Sequence, residues 1–230
     1  MTPPAILIAT PHGRNDLLEQ RVRNRLPEHQ VVRLRAKQEL AAEKLKQIRP
    51  DFVFFPHWSW PIPEEIHSQF ECVIFHMTDL PYGRGGSPLQ NLIALGHKET
   101  RLTALKCVAE LDAGPVYLKR PLALAGTAEE ILHRASALME DMIVEIVQRH
   151  PRPTPQRGEI VEFKRRRPED GNLAGLEKLE QVYDFIRMLD ADGYPPAFVD
   201  TKYLHFEFGE AKLGEQIVEA KVRIRKKADE

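Results

Sequence analysis

Two residues of the chain, His76 and Asp112, have side chains that could carry out proton transfer together. His76 directly follows the apolar run Cys72 to Phe75, which has the length and β-branched content of a short buried strand. A residue at that position lies at the carboxyl end of the strand, where open α/β sheets bind ligands. Asp112 lies 36 residues later, in a turn of Leu-Asp-Ala-Gly-Pro. An imidazole exchanges protons near neutral pH and a carboxylate can orient it. The alternative is a turn histidine and a loop aspartate that never meet.

The loop after His76 has a composition that suits close approach to a ligand. Between Pro81 and Pro88 it contains three glycines, which give a shaped backbone without bulky side chains. Tyr82 and Arg84 lie in the same loop, and we predict that they contact the substrate.

A second loop follows the apolar run Phe52 to Phe55 and contains both tryptophans of the chain, Trp58 and Trp60. If this loop tops the sheet, the two indole rings line a substrate pocket. The alternative is that they pack beneath the loop and cover the core.

The pattern HxxxLPxxRGxxPxQ from His76 to Gln90, followed by Thr103 and then LDAG, resembles the folate-dependent formyltransferase family. The likeness extends from about Asp51 to Val147. It implies a Rossmann-like catalytic domain, 10-formyltetrahydrofolate as the formyl donor, a primary amine as the acceptor, and no metal. It also implies that His76 and Asp112 are catalytic and that backbone groups of two loops contact the pterin, namely those of Gly85, Gly86, Val108, Glu110 and Leu111.

The chain departs from the family pattern at Ile74, where the family has an asparagine whose amide helps to hold the formyl oxygen. Isoleucine cannot donate a hydrogen bond, and losing one such donor costs roughly 2.7–4 kcal/mol of transition-state stabilisation. A replacement donor must come from a nearby polar residue. There are four candidates, namely Asn91, His57, Ser59 and Thr78. An inactive family member that binds folate or a nucleotide sugar is the alternative.

Apolar runs alternate with amphipathic segments along the first 150 residues. This pattern predicts an α/β fold with a doubly wound, mostly parallel sheet. We expect a catalytic domain over 1–150, a proline-rich linker over 151–175 and a small appendage of a helix and a β-hairpin over 176–230. The linker carries Arg165, Arg166 and Arg167, which are either a solvated basic segment or a clamp for phosphate.

Composition limits the compartment and the partners. The 230 residues carry a formal net charge of −1, which gives no global attraction to nucleic acid. The two cysteines, Cys72 and Cys107, lie in apolar runs and suit buried free thiols in a reducing compartment. The sequence shows no signal peptide and no membrane span, so we predict a cytoplasmic protein.

The short tail, the near-zero charge and the aromatic loop favour a nucleotide-linked amino sugar as the acceptor, as in the sugar N-formyltransferases and surface-sugar biosynthesis. The alternative acceptor is the amine of an amino acid, an aminoacyl-tRNA or a peptide. We expect nucleic acid and membranes not to be partners. The exposed edges of the C-terminal hairpin suggest a homodimer.

Overall fold

A computed structural model describes residues 3–227, which divide into two compact units. The first comprises 3–84, Arg101–Leu122 and His133–Glu162, and the second comprises Gly85–Thr100, Ala123–Leu132 and 163–227. The domain boundaries expected near residues 150 and 175 stay predictions.

Eleven strands and six α-helices are found in the described residues. The strands are β1 Ala5–Ala9, β2 Gln30–Leu34, β3 Phe52–Phe55, β4 Cys72–His76, β5 Tyr82–Gly85, β6 Glu99–Lys106, β7 Val116–Ala123, β8 Val161–Phe163, β9 Ala197–Asp200, β10 Leu204–Leu213 and β11 Val218–Lys226. The helices are α1 Asp16–Arg25, α2 Ala42–Ile48, α3 Glu64–His67, α4 Pro88–Ala94, α5 Ala128–Arg149 and α6 Leu179–Arg187.

A six-stranded sheet in the order β2-β1-β3-β4-β6-β7 carries the first unit. Strands β1 to β4 pair in parallel, whereas β6 runs antiparallel to β4 with His76 opposite Thr103. All five residues of β1 and all four of β3 are buried, as expected for strands covered on both faces. The predicted α/β fold with a mostly parallel, Rossmann-like sheet is therefore confirmed. Pro121 lies in β7, at the sheet edge where a missing N–H is tolerated.

The chain between Pro81 and Pro88 differs from the expected loop. It contains β5, which pairs with β8 in a two-stranded sheet. Strand β8 lies within residues 151–175, which were predicted to form a proline-rich linker. The same segment also contains a 3₁₀ turn over Pro168–Gly171.

In the second unit, α6 packs against the three-stranded sheet β11-β10-β9 around Leu173, Ile186 and Ala197. The hairpin of β10 and β11 was expected, whereas β9 was not. Helix α5 begins at a capping box: the backbone N–H of Glu130 donates to Thr127 Oγ1 at 3.3 Å, and that of Thr127 donates to Glu130 Oε2 at 2.8 Å.

Over residues 3–227, none of the helices has both the length and the apolar character needed to cross a lipid bilayer.

Candidate active site

His76 and Asp112 meet in the first unit. His76 is the last residue of β4, and Asp112 lies in the turn between β6 and β7. The distance from His76 Nδ1 to Asp112 Oδ2 is 3.5 Å, and each side chain is only 8% exposed. A buried imidazole facing a buried carboxylate is an arrangement suited to a base and its orienting group.

The second ring nitrogen of His76 is fixed by the loop that follows the strand. His76 Nε2 lies 2.7 Å from the carbonyl oxygen of Gly83. A carbonyl only accepts, so the proton of the neutral ring is on Nε2 and the lone pair of Nδ1 points towards Asp112. When Nδ1 takes up a proton, it can donate to the carboxylate. The ring is thus oriented to accept a proton on the side of Asp112.

Two threonines support this loop. Thr103 Oγ1 donates to the carbonyl oxygen of Thr78 at 2.7 Å, and Thr78 Oγ1 lies 3.4 Å from the carbonyl oxygen of Gly83. Both threonines are fully buried. The Gly83 carbonyl that orients His76 is therefore contacted by the Thr78 hydroxyl, and Thr103 in turn holds the backbone of Thr78.

The turn that presents Asp112 has an unusual backbone. Asp112 has a φ of +52°, a left-handed conformation that costs a non-glycine residue roughly 1–2 kcal/mol. At Gly114, an added Cβ would lie 1.8 Å from the carbonyl oxygen of Lys106, so only glycine fits there. The backbone conformation of this turn and the close approach at Gly114 thus explain why the motif contains Asp-Ala-Gly.

The side chain of Gln156, which the sequence analysis did not single out, holds the same turn. Its Nε2 donates to the carbonyl oxygens of Asp112 and Gly114 at 2.7 and 2.9 Å. Its Oε1 accepts from Arg84 Nε and Nη2 at 3.2 and 2.9 Å. The position of Gln156 in a proline-rich stretch gives no local sign of this contact, which spans 44 residues of sequence.

Arg84, which we predicted to contact substrate, is largely buried and engaged by the protein itself. Besides Gln156 it binds Glu110, with Nη1 to Oε1 at 2.9 Å. The carboxylate of Glu110 is 74% exposed. Arg84 therefore links the loop after β4 to the loop after β6, and its contact with substrate stays a prediction.

The three aromatic residues predicted to bind substrate differ in exposure. Trp58 packs against Phe55 with ring centroids 5.7 Å apart and, partly buried, lies against the core of the first unit. Trp60 contacts Trp58 edge-on at 4.8 Å and is 37% exposed, and Tyr82 is half-buried. Trp58 thus covers core, whereas Trp60 remains accessible to a ligand.

Ile74 packs against the apolar core, and the polar residues expected to replace the family amide make contacts elsewhere. His57 Nε2 lies 3.1 Å from Ser136 Oγ, in a buried polar network. In that network Ser136 donates to Asn15 Oδ1 at 2.8 Å and Asn15 Nδ2 donates to Thr10 Oγ1 at 2.7 Å. Ser59 is exposed, and Thr78 supports the Gly83 loop.

The fourth expected replacement, Asn91, belongs to the second unit. Its Nδ2 donates to the carbonyl oxygens of Gly86 and Lys164 at 3.0 and 2.9 Å. The amide thereby ties the start of α4 to the segment after β8. Its assignment as the missing donor stays a prediction.

The two glycines expected to contact the pterin, Gly85 and Gly86, are also required by close packing of the backbone. Gly85 has a φ of +104°, and an added Cβ would lie 2.5 Å from the carbonyl oxygen of Phe163. A Cβ on Gly86 would lie 2.5 Å from Cβ of Arg165. Gly85 therefore lets the end of β8 pass close by, and Gly86 does the same for the segment after β8. The loop after β6 offers more accessible groups, because Leu111 is 69% exposed and Val108 is half-buried.

The basic segment also lies in the second unit. The Arg166 guanidinium stacks over the Phe185 ring at 5.0 Å, and its Nη2 donates to the carbonyl oxygen of Asp170 at 2.6 Å. Arg165 and Arg167 are exposed. Of the three arginines, these two have side chains accessible to phosphate.

The two thiols are unsuited to nucleophilic chemistry. Cys72 and Cys107 are both free and buried, as expected. Burial raises the pKa of the Cys107 thiol to about 11 and raises the pKa of Cys72 further still. Both therefore stay protonated near neutral pH. Within residues 3–227, no three His, Cys, Asp or Glu side chains form a group able to hold a metal ion.

The fold and the site define an α/β protein with an imidazole–carboxylate pair at the carboxyl edge of its sheet. Residues 168–225 match a family model described as the C-terminal domain of methionyl-tRNA formyltransferase. A solved structure described as methionyl-tRNA formyltransferase from Clostridium thermocellum is 44% identical, with a TM-score of 0.95, covering 97% of this chain and 100% of that one. The chain therefore belongs to the folate-dependent formyltransferase family, as the sequence motif indicated.

Two further comparisons extend this result. The methionyl-tRNA formyltransferase of Bacillus pumilus is 26% identical over 222 residues, which is 92% of this chain and 65% of that protein. A sugar N-formyltransferase from a Shewanella species is only 15% identical, with a TM-score of 0.64, and covers 86% of this chain and 93% of that chain. The similarity to the sugar N-formyltransferase shows only that the two proteins share a fold. The chain spans about half to two thirds of the length of the first curated relatives it matches.

These comparisons correct the predicted acceptor. The prediction of a nucleotide-linked amino sugar as the acceptor was wrong. The expectation that nucleic acid is not a partner was also wrong, because the similar proteins are methionyl-tRNA formyltransferases. The tail, taken as too short for a tRNA enzyme, matches the C-terminal domain model of that enzyme. The net charge misled because 33 basic and 34 acidic residues cancel over the whole chain without excluding a local basic segment.

Proposed function

We propose that this protein is an N-formyltransferase that moves the formyl group of 10-formyltetrahydrofolate to the α-amine of methionyl-tRNA. The observation that carries the proposal is the 3.5 Å contact between His76 and Asp112 in a chain 44% identical, over 97% of its length, to a structure described as methionyl-tRNA formyltransferase. The expected alternative of an aminoacyl-tRNA acceptor thus replaces the amino sugar.

In this reaction the unprotonated amine attacks the formyl carbon. A bond forms between the amine nitrogen and that carbon, and the bond from the carbon to N10 of the folate breaks. The amine loses one proton and N10 gains one, so atoms and charge balance. His76 accepts the amine proton on Nδ1 and returns it to N10, while the carboxylate of Asp112 stabilises the protonated ring.

Exposed parts of the first unit are suited to hold the two substrates. Glu110 and Leu111 present an accessible stretch beside Asp112, which we assign to the pterin of the donor. Trp60, 37% exposed, is suited to pack against the apolar methionyl side chain, since aromatic rings contribute large apolar contact area.

We assign Arg165 and Arg167 to phosphates of the tRNA, because exposed guanidinium groups bind phosphate well. The two free thiols fit a reducing compartment, and we place the reaction in the cytoplasm.

Ile74 favours a second candidate function, a family member that binds folate without turnover. An isoleucine packed on the core cannot stabilise the oxyanion that forms during attack. This candidate predicts saturable binding of the donor and no formylated product.

An acceptor panel tests the proposal. Purified protein is incubated with 10-formyltetrahydrofolate and methionyl-tRNA, free methionine or a methionyl peptide, and formylated product is measured by mass spectrometry. We expect product from methionyl-tRNA at a rate far above that from the other two. Product from none of the three, with donor binding retained, supports the inactive candidate instead.

A further inference from the structure

The side chain of Gln156 joins the turn that carries Asp112 to Arg84 of β5. One end of its amide faces the turn of Asp112 and the other faces Arg84. The orientation of the amide is unambiguous, because the guanidinium only donates and the two carbonyls only accept. Gln156 therefore uses both its donor and its acceptor in holding the turn to Arg84.

The turn needs such support because its backbone is strained. Asp112 has a φ of +52° while its side chain is 8% exposed. Two short hydrogen bonds, 2.7 Å to the carbonyl of Asp112 and 2.9 Å to that of Gly114, hold the residues on either side of Ala113. Left-handed non-glycine residues persist where the surroundings fix them.

We propose that Gln156 is a positioning residue for formyl transfer, which sets the place of the Asp112 carboxylate against His76; this rests on the function proposed above. The contact between the two side chains is 3.5 Å, and it depends on the Asp112 turn. A displacement of about 1 Å at a reacting group can lower a rate about 10²-fold. Gln156 influences the distance between His76 and Asp112 through the backbone carbonyls of the turn, without contacting the imidazole itself.

The substitution Gln156→Glu removes the hydrogen bonds that Gln156 donates to the turn while keeping those it accepts from Arg84. A carboxylate of the same shape still accepts from Arg84, and more strongly, but it cannot donate to the two carbonyls and repels them. We expect kcat for methionyl-tRNA to fall about 30- to 100-fold. We expect KM to stay within about twofold and the thermal midpoint to change little, since the stronger, charge-assisted contact with Arg84 offsets the two lost hydrogen bonds.

Two further variants complete the test. Gln156→Met keeps the length of the side chain but can hydrogen-bond neither the carbonyls nor Arg84, so we expect the same fall in kcat together with a lower thermal midpoint. Gln148→Glu makes the identical chemical change at an exposed position of α5, and we expect wild-type kcat and KM.

The outcomes distinguish the inference from the proposed function. If the wild-type protein forms no formyl-methionyl-tRNA, the proposed function fails and the positioning role fails with it. If the wild type is active and Gln156→Glu retains kcat within about threefold, only the positioning role is overturned. In Gln156→Glu, a rise in KM at constant kcat, or a loss of activity that tracks a loss of thermal stability, overturns it as well.

Discussion

At the residue scale, His76 lies between two acceptors, the carbonyl of Gly83 and the carboxylate of Asp112. The carbonyl accepts from the protonated Nε2 and fixes the ring, and the carboxylate faces Nδ1, where it can accept a hydrogen bond once that nitrogen is protonated. This division of roles explains why the two residues belong together although 36 positions separate them. Their spacing alone allowed the pairing, and the family motif gave the reason to expect it.

Removing either partner tests the roles directly. We expect His76→Ala to lower kcat about 10²- to 10⁴-fold, the range associated with a general base. Asp112→Asn keeps the shape and tolerates a positive φ, so we expect a similar fall in kcat with an unchanged thermal midpoint. Steady-state kinetics and circular-dichroism melting measure both. Near-wild-type kcat in a folded His76→Ala protein would contradict the assignment.

Restoring the amide at position 74 tests the cost of the missing donor. In Ile74→Asn we expect kcat to rise, by up to about 10²-fold, because one oxyanion donor contributes about that much. We also expect lower thermal stability, since Ile74 packs on the apolar core. An unchanged kcat in the folded variant would mean that another group already supplies the hydrogen bond. Ile74→Val, which keeps the apolar packing without a donor, is the control.

At the scale of elements, the parts predicted from the sequence are those whose signal is local. The apolar run Cys72 to Phe75 marks β4, and the apolar run Phe52 to Phe55 marks β3. Strand β5 was missed because it contains glycines and exists through pairing with β8, which lies far along the chain. Gln156 was missed for the same reason: a hydrogen bond across a long separation leaves no pattern beside the residue.

The close approach of Phe163, at the end of β8, predicts that Gly85 is intolerant of a side chain. In Gly85→Ala the new Cβ would meet a backbone oxygen at 2.5 Å with φ at +104°, so we expect the free energy of unfolding to fall by about 1–3 kcal/mol or more. Urea denaturation measures this change. Gly175→Ala, where a Cβ has no neighbour within 4 Å, serves as the control and should be neutral or slightly stabilising.

The capping box at the start of α5 gives a second stability prediction. Thr127→Ala removes the Oγ1 acceptor of the Glu130 N–H and should lower the free energy of unfolding by about 1 kcal/mol. Thr127→Ser keeps the acceptor and should stay close to wild type. Urea denaturation of the three proteins checks this difference, and equal stability of the Ala variant would contradict the cap.

At the scale of the whole molecule, the net charge is a poor guide to the partner. Basic and acidic residues nearly balance, yet Arg165 and Arg167 are exposed on one short segment of the second unit. Electrostatic attraction to a tRNA depends on such local groups and on salt. The acceptor was therefore beyond what composition could predict, and similarity to known proteins corrected it.

The phosphate assignment makes a salt-dependent prediction. In the double variant Arg165→Gln/Arg167→Gln we expect weaker binding of methionyl-tRNA and a log–log salt slope smaller by about 2, since each phosphate that is no longer neutralised reduces the slope by about one. Filter binding between about 50 and 200 mM salt measures it. The control Lys46→Gln/Arg149→Gln removes two exposed cations of the first unit, and an equal effect there would contradict the assignment.

The most direct test of the account is formyl transfer under single-turnover conditions, with excess enzyme, 10-formyltetrahydrofolate and radiolabelled methionyl-tRNA. We predict that the wild-type protein converts methionyl-tRNA to formyl-methionyl-tRNA and that Asp112→Asn, equally folded and equally able to bind the tRNA, does so at least about 10²-fold more slowly. Equal rates for the two proteins, or tRNA and folate binding by the wild type with no product, would contradict it.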